Sequence, residues 1–563
     1  MKNRRHYFII AALLFCTPCV AQQNPGSLVP ATPSQAPDYY CTWNLQGYVT
    51  SHTFGRGSNG SRAEMNEDNL FGTHKVYTKD ASKNIDGAIY TVDSRYQGWL
   101  NHFPSIRQDL LFVIDDSWDI PAGSNSKRPH GSNYDNEYLA MLTLDQTRFP
   151  SFAGNDMERM AGLVNAVKDQ GWKGLGGWIC AQNPICLTKK YTGRENTFEN
   201  SKKWTVKQEE KYWKQRLKES QKAGFHYWKV DWGNKDRDDA FRRNLSKWGR
   251  EMAPDVVIEH ASFQDGGPHK PYYITFSEVL RTYDVSGDLS QAQTISRVAE
   301  VLSKGTAEIN GWSIINCEDE AYIAVGLGCA IGIMRHPYTG PYPNGKADGT
   351  FDAGTRLMKN RLNEIVRAIR WHRIALPFGA DGKYTVSEDN LFDSEPTGRH
   401  YEAPSRMSRR LPLPEIVGID AFNENRPYVL ASLYDNECTA VTTINRNIRG
   451  EYQQQKVDVK VQPKRWDRKV GIFGHYHSLT LAYQNGLPKG NFKVFAQDLV
   501  SNENPQEIPY LKTADGRGII ISGTTVENLC KGNKYAYTEV PHMEGCDYSD
   551  YSDPGIVLLI VEE

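Results

Sequence analysis

Asp231 closes an apolar-aromatic run, FHYWKVDWG over 225–233, and Lys229 stands two residues before it. On a strand, alternation puts Tyr227, Lys229 and Asp231 on one face and Trp228, Val230 and Trp232 on the other. A lysine and a carboxylate then point the same way at the carboxyl end of a strand, the catalytic end of a parallel α/β barrel. Keeping such a pair in a core strand is costly unless the charge is used. A strand-end salt bridge is the plainer alternative. Other carboxylates end comparable runs: Asp115 and Asp116 in LLFVIDDSW, and Asp284 after SEVLRTY, with Asp288 close behind. Two carboxyl groups facing each other across a bond are what retaining glycoside hydrolysis needs. One attacks the anomeric carbon and the other protonates the leaving oxygen.

The elements that must hold these groups are legible as an alternation. Short apolar runs at 110–115, 173–180, 225–231, 256–260, 313–316 and 330–334 read as strands. Between them, Met157, Met160, Leu163, Val164 and Val167 recur at helical spacing, and 207–223, 237–252 and 354–371 are helix-like. Strand–helix alternation at this length predicts a parallel sheet, and eight such units make a (β/α)8 TIM barrel. After about residue 405 the pattern changes to short β-type runs at 428–433, 440–445, 456–461, 492–496, 518–522 and 555–561. No strong amphipathic helix intervenes, so a C-terminal antiparallel β-sandwich is expected. The expected division is a signal peptide over 1–21, a Gln/Pro/Ser/Ala-rich linker over 22–38, a barrel over 39–404 and the sandwich over 405–563. Residues 62–99 are the least readable part of the barrel half.

The chain of 563 residues is long enough for both units. A formal net charge of −1, with no basic arm or acidic tail, argues against a nucleic-acid partner. Lys2, Arg4 and Arg5, a short apolar core at 8–16 and Val20-Ala21 before Gln22 read as a cleaved export signal. That core is too short for a membrane span, and no later segment reaches spanning length without charges. A secreted or periplasmic protein is expected. Phe15 and Pro18 fit a lipobox poorly, which disfavours a lipid anchor at Cys16 or Cys19. Export permits disulfides, and Cys180 with Cys186, and Cys530 with Cys546, are near enough to pair. Beyond the expected signal there is no CxxC, and there is no HExxH; no metal and no organic cofactor are implied. His226, His260 and His336 read as core or rim histidines. Aromatics at 11% of the chain suit stacking on pyranose faces, or simply a large core.

In sequence order the motifs resemble the clan of retaining α-galactosidases, clan D, glycoside hydrolase families 27 and 36, with family 27 the closer. The family has an aspartate pair and a tryptophan after its second strand; here stand Asp115, Asp116, Ser117 and Trp118. A helix leading into a "GLKFGIY"-like third strand is matched by LVNAVKDQGWKGLGGWI, with Trp178 at the aromatic position. The nucleophile strand is matched by YWKVDW, and the arginine after the sixth strand by Arg281. The resemblance implies Asp231 as nucleophile, Asp284 as acid/base, and sugar contacts from Asp115, Asp116, Lys229 and Arg281. Trp43 and Trp178 would wall the pocket, with Trp118 and Trp232 as further candidates. The family spacing is RxxxD, whereas Arg281 and Asp284 give RxxD, so Asp288 is a rival for the acid. IINCEDE replaces the family's WNDPD-like run, and the segment after strand five departs from the family's substrate loop.

The resulting expectation is an exported retaining exo-glycosidase taking terminal α-galactosyl-type sugars from an oligo- or polysaccharide. β-L-Arabinopyranosides and α-N-acetylgalactosaminides are the sibling substrates. A catalytically silent carbohydrate-binding protein is the reading from another class; it predicts a missing nucleophile or acid.

Overall fold

A computed structural model describes residues 24–43, 65–71, 73–79, 90–122, 138–186, 203–261, 270–282, 290–304, 313–334, 362–382, 386, 389–396, 403–448, 451–452, 455–501, 503–532 and 552–563. Eight short parallel strands form one sheet: β1 (Tyr39–Cys41), β2 (Leu111–Ile114), β3 (Gly174–Ile179), β4 (Tyr227–Val230), β5 (Val257–Ala261), β6 (Val279–Arg281), β7 (Ile314–Asn316) and β8 (Gly332–Ile333). They pair in chain order from β1 to β7, and β8 returns to the free side of β1. A parallel bridge from Asn316 to Ala330 links the end of β7 to the approach to β8 and completes the ring. This is the expected (β/α)8 barrel.

Helices follow the strands: α1 (Asp156–Asp169), α2 (Val206–Ala223), α3 (Asp239–Met252) and α6 (Leu362–His372) in the regions that apolar periodicity marks, and α4 (Ser290–Lys304) and α5 (Ala321–Leu327) where the sequence reading marks no helix. Asn155 and Thr205 start α1 and α2 with capping boxes, each closed by the side chain three residues on. Gly224 ends α2 at a positive φ that β-carbons disfavour, then the chain turns into β4. Trp228, on the outer face of β4, packs edge-on against Trp213 of α2. Residues 67–97, opaque to pattern reading, hold a short helix (Glu67–Phe71) and a hairpin of Thr73–Lys79 with Tyr90–Gln97.

Glycines give the barrel interior its unusual content. A β-carbon at Gly332 would lie 2.5 Å from the Tyr39 ring, and one at Gly176 would lie 2.7 Å from Tyr227 Cβ. Their absence lets Tyr39 and Tyr227 lie across the barrel, ring centroids 5.2 Å apart. Two phenols fill space that aliphatic layers otherwise occupy, and they bring hydroxyls into the centre.

Beyond the barrel, an eight-stranded and a five-stranded sheet face one another across a second apolar core. Most pairings are antiparallel. Three are parallel, such as Thr439–Ile444 with Val470–Phe473, so both sheets are mixed. One helix, Gly523–Cys530, also lies in this half. The seam with the barrel is specific: Arg367 of α6 clasps Asp498 at 2.9 Å, and Tyr322 of α5 donates to the Asp553 carbonyl. Residues 24–38, expected as a linker, are pinned along this seam. Leu28 N–H donates to Gln497, and Asp38 is buried against His372 at 2.6 Å. The export signal lies outside the described residues, as do Cys546 and the Cys186 side chain, one partner of each candidate disulfide. Among the described residues no helix is long and apolar enough to cross a membrane.

Candidate active site

Asp231 follows β4 directly, and its backbone N–H donates to the Ile179 carbonyl of β3. Its carboxylate accepts from Arg281 Nη2 at 2.6 Å and from Trp178 Nε1 at 2.9 Å. The side chain keeps 18% exposure, whereas Arg281 keeps 1%. Burial disfavours its charge. The nearby Arg281 and Lys229 charges and the two hydrogen bonds outweigh burial and hold the carboxyl well below the usual carboxylate range. An ionised, partly accessible carboxylate at the carboxyl end of a barrel strand is equipped to act as a nucleophile.

The groups around it meet because the ladder makes them neighbours. Trp178 pairs with Lys229 between β3 and β4, and Lys229 with Glu259 between β4 and β5. Lys229 Nζ donates to Asp115 Oδ2 at 3.2 Å and lies 3.9 Å from Glu318. Burial opposes the lysine's charge, but Asp115, Cys41 and Glu318 raise its pKa above the ordinary value. Arg281 reaches Glu259 at 3.3 Å and Glu318 at 3.5 Å as well as Asp231. Tyr39 donates to Glu318 at 2.8 Å, Tyr227 to Glu259 at 2.8 Å and Asn316 to Glu259 at 2.6 Å. Three buried carboxyl groups and the partly accessible Asp231 therefore share two cations.

Glu259 shows the consequence. Burial drives its carboxyl up, Arg281 opposes and Glu318 adds to the rise, leaving it at about 7 against an ordinary 4.5. Folding then favours its protonated form. That stabilisation is full below about pH 4.5 and is lost as pH rises through about 7. In Glu259→Gln the decline in urea midpoint across this window is expected to be smaller than in the wild type. An unchanged decline would mean that Glu259 does not titrate there.

At the rim, two residues hold positive φ beside acids: Ser117 at 80° after Asp116, and Asp319 at 55° after Glu318. Such backbone costs about 1–3 kcal/mol per residue and concentrates at functional sites. Asp119 anchors the facing loop by accepting from Leu142 N–H at 2.8 Å. Burial raises its carboxyl to about 7, the Leu142 bond opposes, and the charge of Asp116 adds to the rise.

Of the residues singled out by sequence, Asp115, Trp178, Lys229, Asp231 and Arg281 converge. Asp115 already accepts from Lys229, from the Cys41 thiol at 3.0 Å and from Asp116 N–H at 2.9 Å. Asp116 is buried beside it and accepts from Ser117 Oγ. Trp43 is half-buried at the end of β1 against the inward apolar layer, and Trp232 packs on Trp178. Trp118 is not a pocket wall: it is 1% exposed and donates to the Trp178 carbonyl from beneath. Asp284, Asp288 and His336 lie outside the described residues. Sequence reasoning passed over Glu259 as part of the network. Its signal was a lone acid in the middle of VIEHA, on the face that alternation assigns to the interior. Among the described residues no group of three or more His, Cys, Asp or Glu is disposed to hold a metal ion.

These features define a (β/α)8 barrel protein with a charged, carboxylate-rich mouth and an appended β-domain. No protein-family model matches the chain, and no curated protein does. Among solved structures it is similar to a GH27 β-L-arabinopyranosidase from Geobacillus stearothermophilus, with 11% identity over 72% of this chain and 86% of that one, TM-score 0.30. It is similar also to an α-amylase from Geobacillus thermoleovorans, with 10% identity over 94% and 100%, TM-score 0.39. A third is the α-fucosidase of Thermotoga maritima, with 10% identity over 80% and 76%, TM-score 0.28.

Proposed function

We propose that the protein is an exported retaining exo-glycoside hydrolase that releases terminal α-galactosyl-type sugars. Asp231 would attack the anomeric carbon, forming an ester to C1 as the bond to the leaving oxygen breaks. Asp284, with Asp288 as its rival, would give that oxygen its proton and then take one from the water that cleaves the ester. Lys229, Arg281 and the Asp115–Asp116 pair would line the sugar site. The observation that carries this reading is Asp231 itself: a carboxylate held ionised by Arg281, Lys229 and Trp178, yet still partly accessible at the barrel mouth. Residues kept charged and reachable in a buried network are what a nucleophile needs, and a structural ion pair has no need of access.

The test is hydrolysis of aryl α-galactoside, β-L-arabinopyranoside, α-N-acetylgalactosaminide and α-glucoside, with the anomer of the first product read by NMR. Cleavage of the α-galactoside with net retention is expected. Cleavage with inversion would sink the double displacement. Sugar binding without cleavage of any substrate would favour the silent binding protein.

A further inference from the structure

Arg242, on the first turn of α3, is wholly buried with no carboxylate among its hydrogen-bond acceptors. Its guanidinium is spent on main chain. Nη2 donates to the Asp231 carbonyl at 2.7 Å, Nη1 to the Val230 carbonyl at 2.9 Å and Nε to the Asp236 carbonyl at 3.1 Å. Nη1 also meets His260 Nδ1 at 3.2 Å, and Ser246 Oγ lies 2.8 Å from His260 Nε2. A donor on Nδ1 requires the tautomer with its proton on Nε2, which donates to Ser246. Burial and the charges of Arg242 and Arg250 keep this histidine neutral. Burial also lowers Arg242 itself to about 10, so the site bears a real desolvation cost for its charge.

The acceptors explain why that cost is borne. The β4–β5 ladder ends at Val230 opposite His260, so the carbonyls of Val230 and Asp231 have reached the end of strand pairing. The chain beyond them folds back on β3. Ala181 N–H donates to the Trp232 carbonyl, Lys235 N–H to the Ala181 carbonyl, and Gly233 sits at φ 153°, where a β-carbon would strike Ala181 O at 2.4 Å. The segment just after β3 thus grips one side of this turn, and Arg242 grips the other.

We propose that Arg242 is a positioning residue that fixes the main chain carrying Asp231, and so the line along which its carboxylate meets the anomeric carbon. This rests on the glycosidase reading above. An oriented nucleophile is worth much of a barrier, and a misplacement of about 1 Å can cost about 100-fold.

The test compares wild type, Arg242→Lys and Arg242→Met. The lysine keeps the charge but cannot span three carbonyls. The probe is 5-fluoro-α-galactosyl fluoride: fluoride leaves without acid help, and the ring fluorine slows release, so the ester accumulates and is mapped by peptide mass. A partly unfolded variant loses labelled amplitude, whereas a misplaced nucleophile loses rate constant, so the two effects separate. The labelling rate constant is expected to fall about 10-fold in Arg242→Lys and about 100-fold in Arg242→Met, with Asp231 still the labelled residue. For the aryl glycoside that the wild type cleaves, kcat falls in the same order while KM stays within about twofold. If the wild type labels at Asp231 and both variants label at its rate, the inference is overturned and the glycosidase reading stands. If the wild type turns over but labels elsewhere, or takes no label, the Asp231 reading fails and takes the inference with it. Should Arg242→Met not fold, the lysine variant alone decides.

Discussion

Asp231→Gly is expected to lose about 10,000-fold or more of kcat/KM toward any glycoside the wild type cleaves, as removal of a covalent nucleophile does elsewhere. The fold should survive the change. Arg281 keeps Glu259 at 3.3 Å and Glu318 at 3.5 Å, so no cation is stranded when the third carboxylate goes. The vacated space at the barrel mouth admits a small anion. Added azide should therefore restore turnover of an aryl glycoside with a good leaving group, and the product should be the glycosyl azide of inverted configuration. Asp284→Ala gives the complementary result. Its nucleophile is intact, azide intercepts the covalent intermediate, and the glycosyl azide retains configuration. If Asp288→Ala shows that behaviour and Asp284→Ala does not, the acid assignment moves to Asp288. An Asp231→Gly protein that keeps more than a tenth of wild-type activity would remove Asp231 from the chemistry altogether.

The barrel was legible because its strands are short apolar runs and its helices carry clean apolar stripes. Met157 to Val167 foretold α1, and the alternation in FHYWKVDWG foretold which side chains of β4 face inward. β1 and β6 were harder, since Tyr39–Cys41 and Val279–Arg281 are flanked by polar residues, Asp38 and Thr42, Glu278 and Thr282, so no apolar run stands out. The β-domain was read as antiparallel because its runs are separated by turns. Parallel pairs such as Thr439–Ile444 with Val470–Phe473 arise from which strands become neighbours, which local pattern does not encode. The 24–38 stretch looks like a linker by composition, yet its hold comes from distant partners such as Gln497 and His372.

The site was legible where a charge ends a strand and illegible where it lies within one. Asp115, Asp231 and Arg281 announce themselves at run ends. Glu259 and the two inward tyrosines read locally as ordinary strand residues. Only closure of the ring puts Tyr39 of β1 within 2.8 Å of Glu318 beyond β7, 279 positions later in the chain. Trp118 was misjudged for the same reason. Its position beside the aspartate pair suits a pocket wall, but the positive φ at Ser117 turns the indole away beneath Trp178.

Arg281→Met should be the most destabilising single change in the barrel, about 3–5 kcal/mol near neutral pH, because it leaves buried Glu259 and Glu318, and the partly accessible Asp231, without their shared cation. Lys229 replaces it only in part, being engaged with Asp115 at 3.2 Å and no closer than 3.9 Å to Glu318. The loss must depend on pH, and its sign is fixed. In the wild type Arg281 depresses Asp231 and restrains the rise of Glu259. Without it both carboxyls move up, so folding must bind protons that the unfolded chain releases above about pH 4. The gap in urea midpoint between wild type and variant should be small near pH 4 and should widen through pH 8. Arg281→Lys should fall between them, since a single ammonium cannot fork to three carboxylates. The folded fraction of either variant should also show the acid limb of its activity profile moved to higher pH, because the nucleophile now ionises later. A stability gap that stays constant with pH would mean that Arg281 contributes by filling space, and the charge network would then have no part in holding Asp231 ionised.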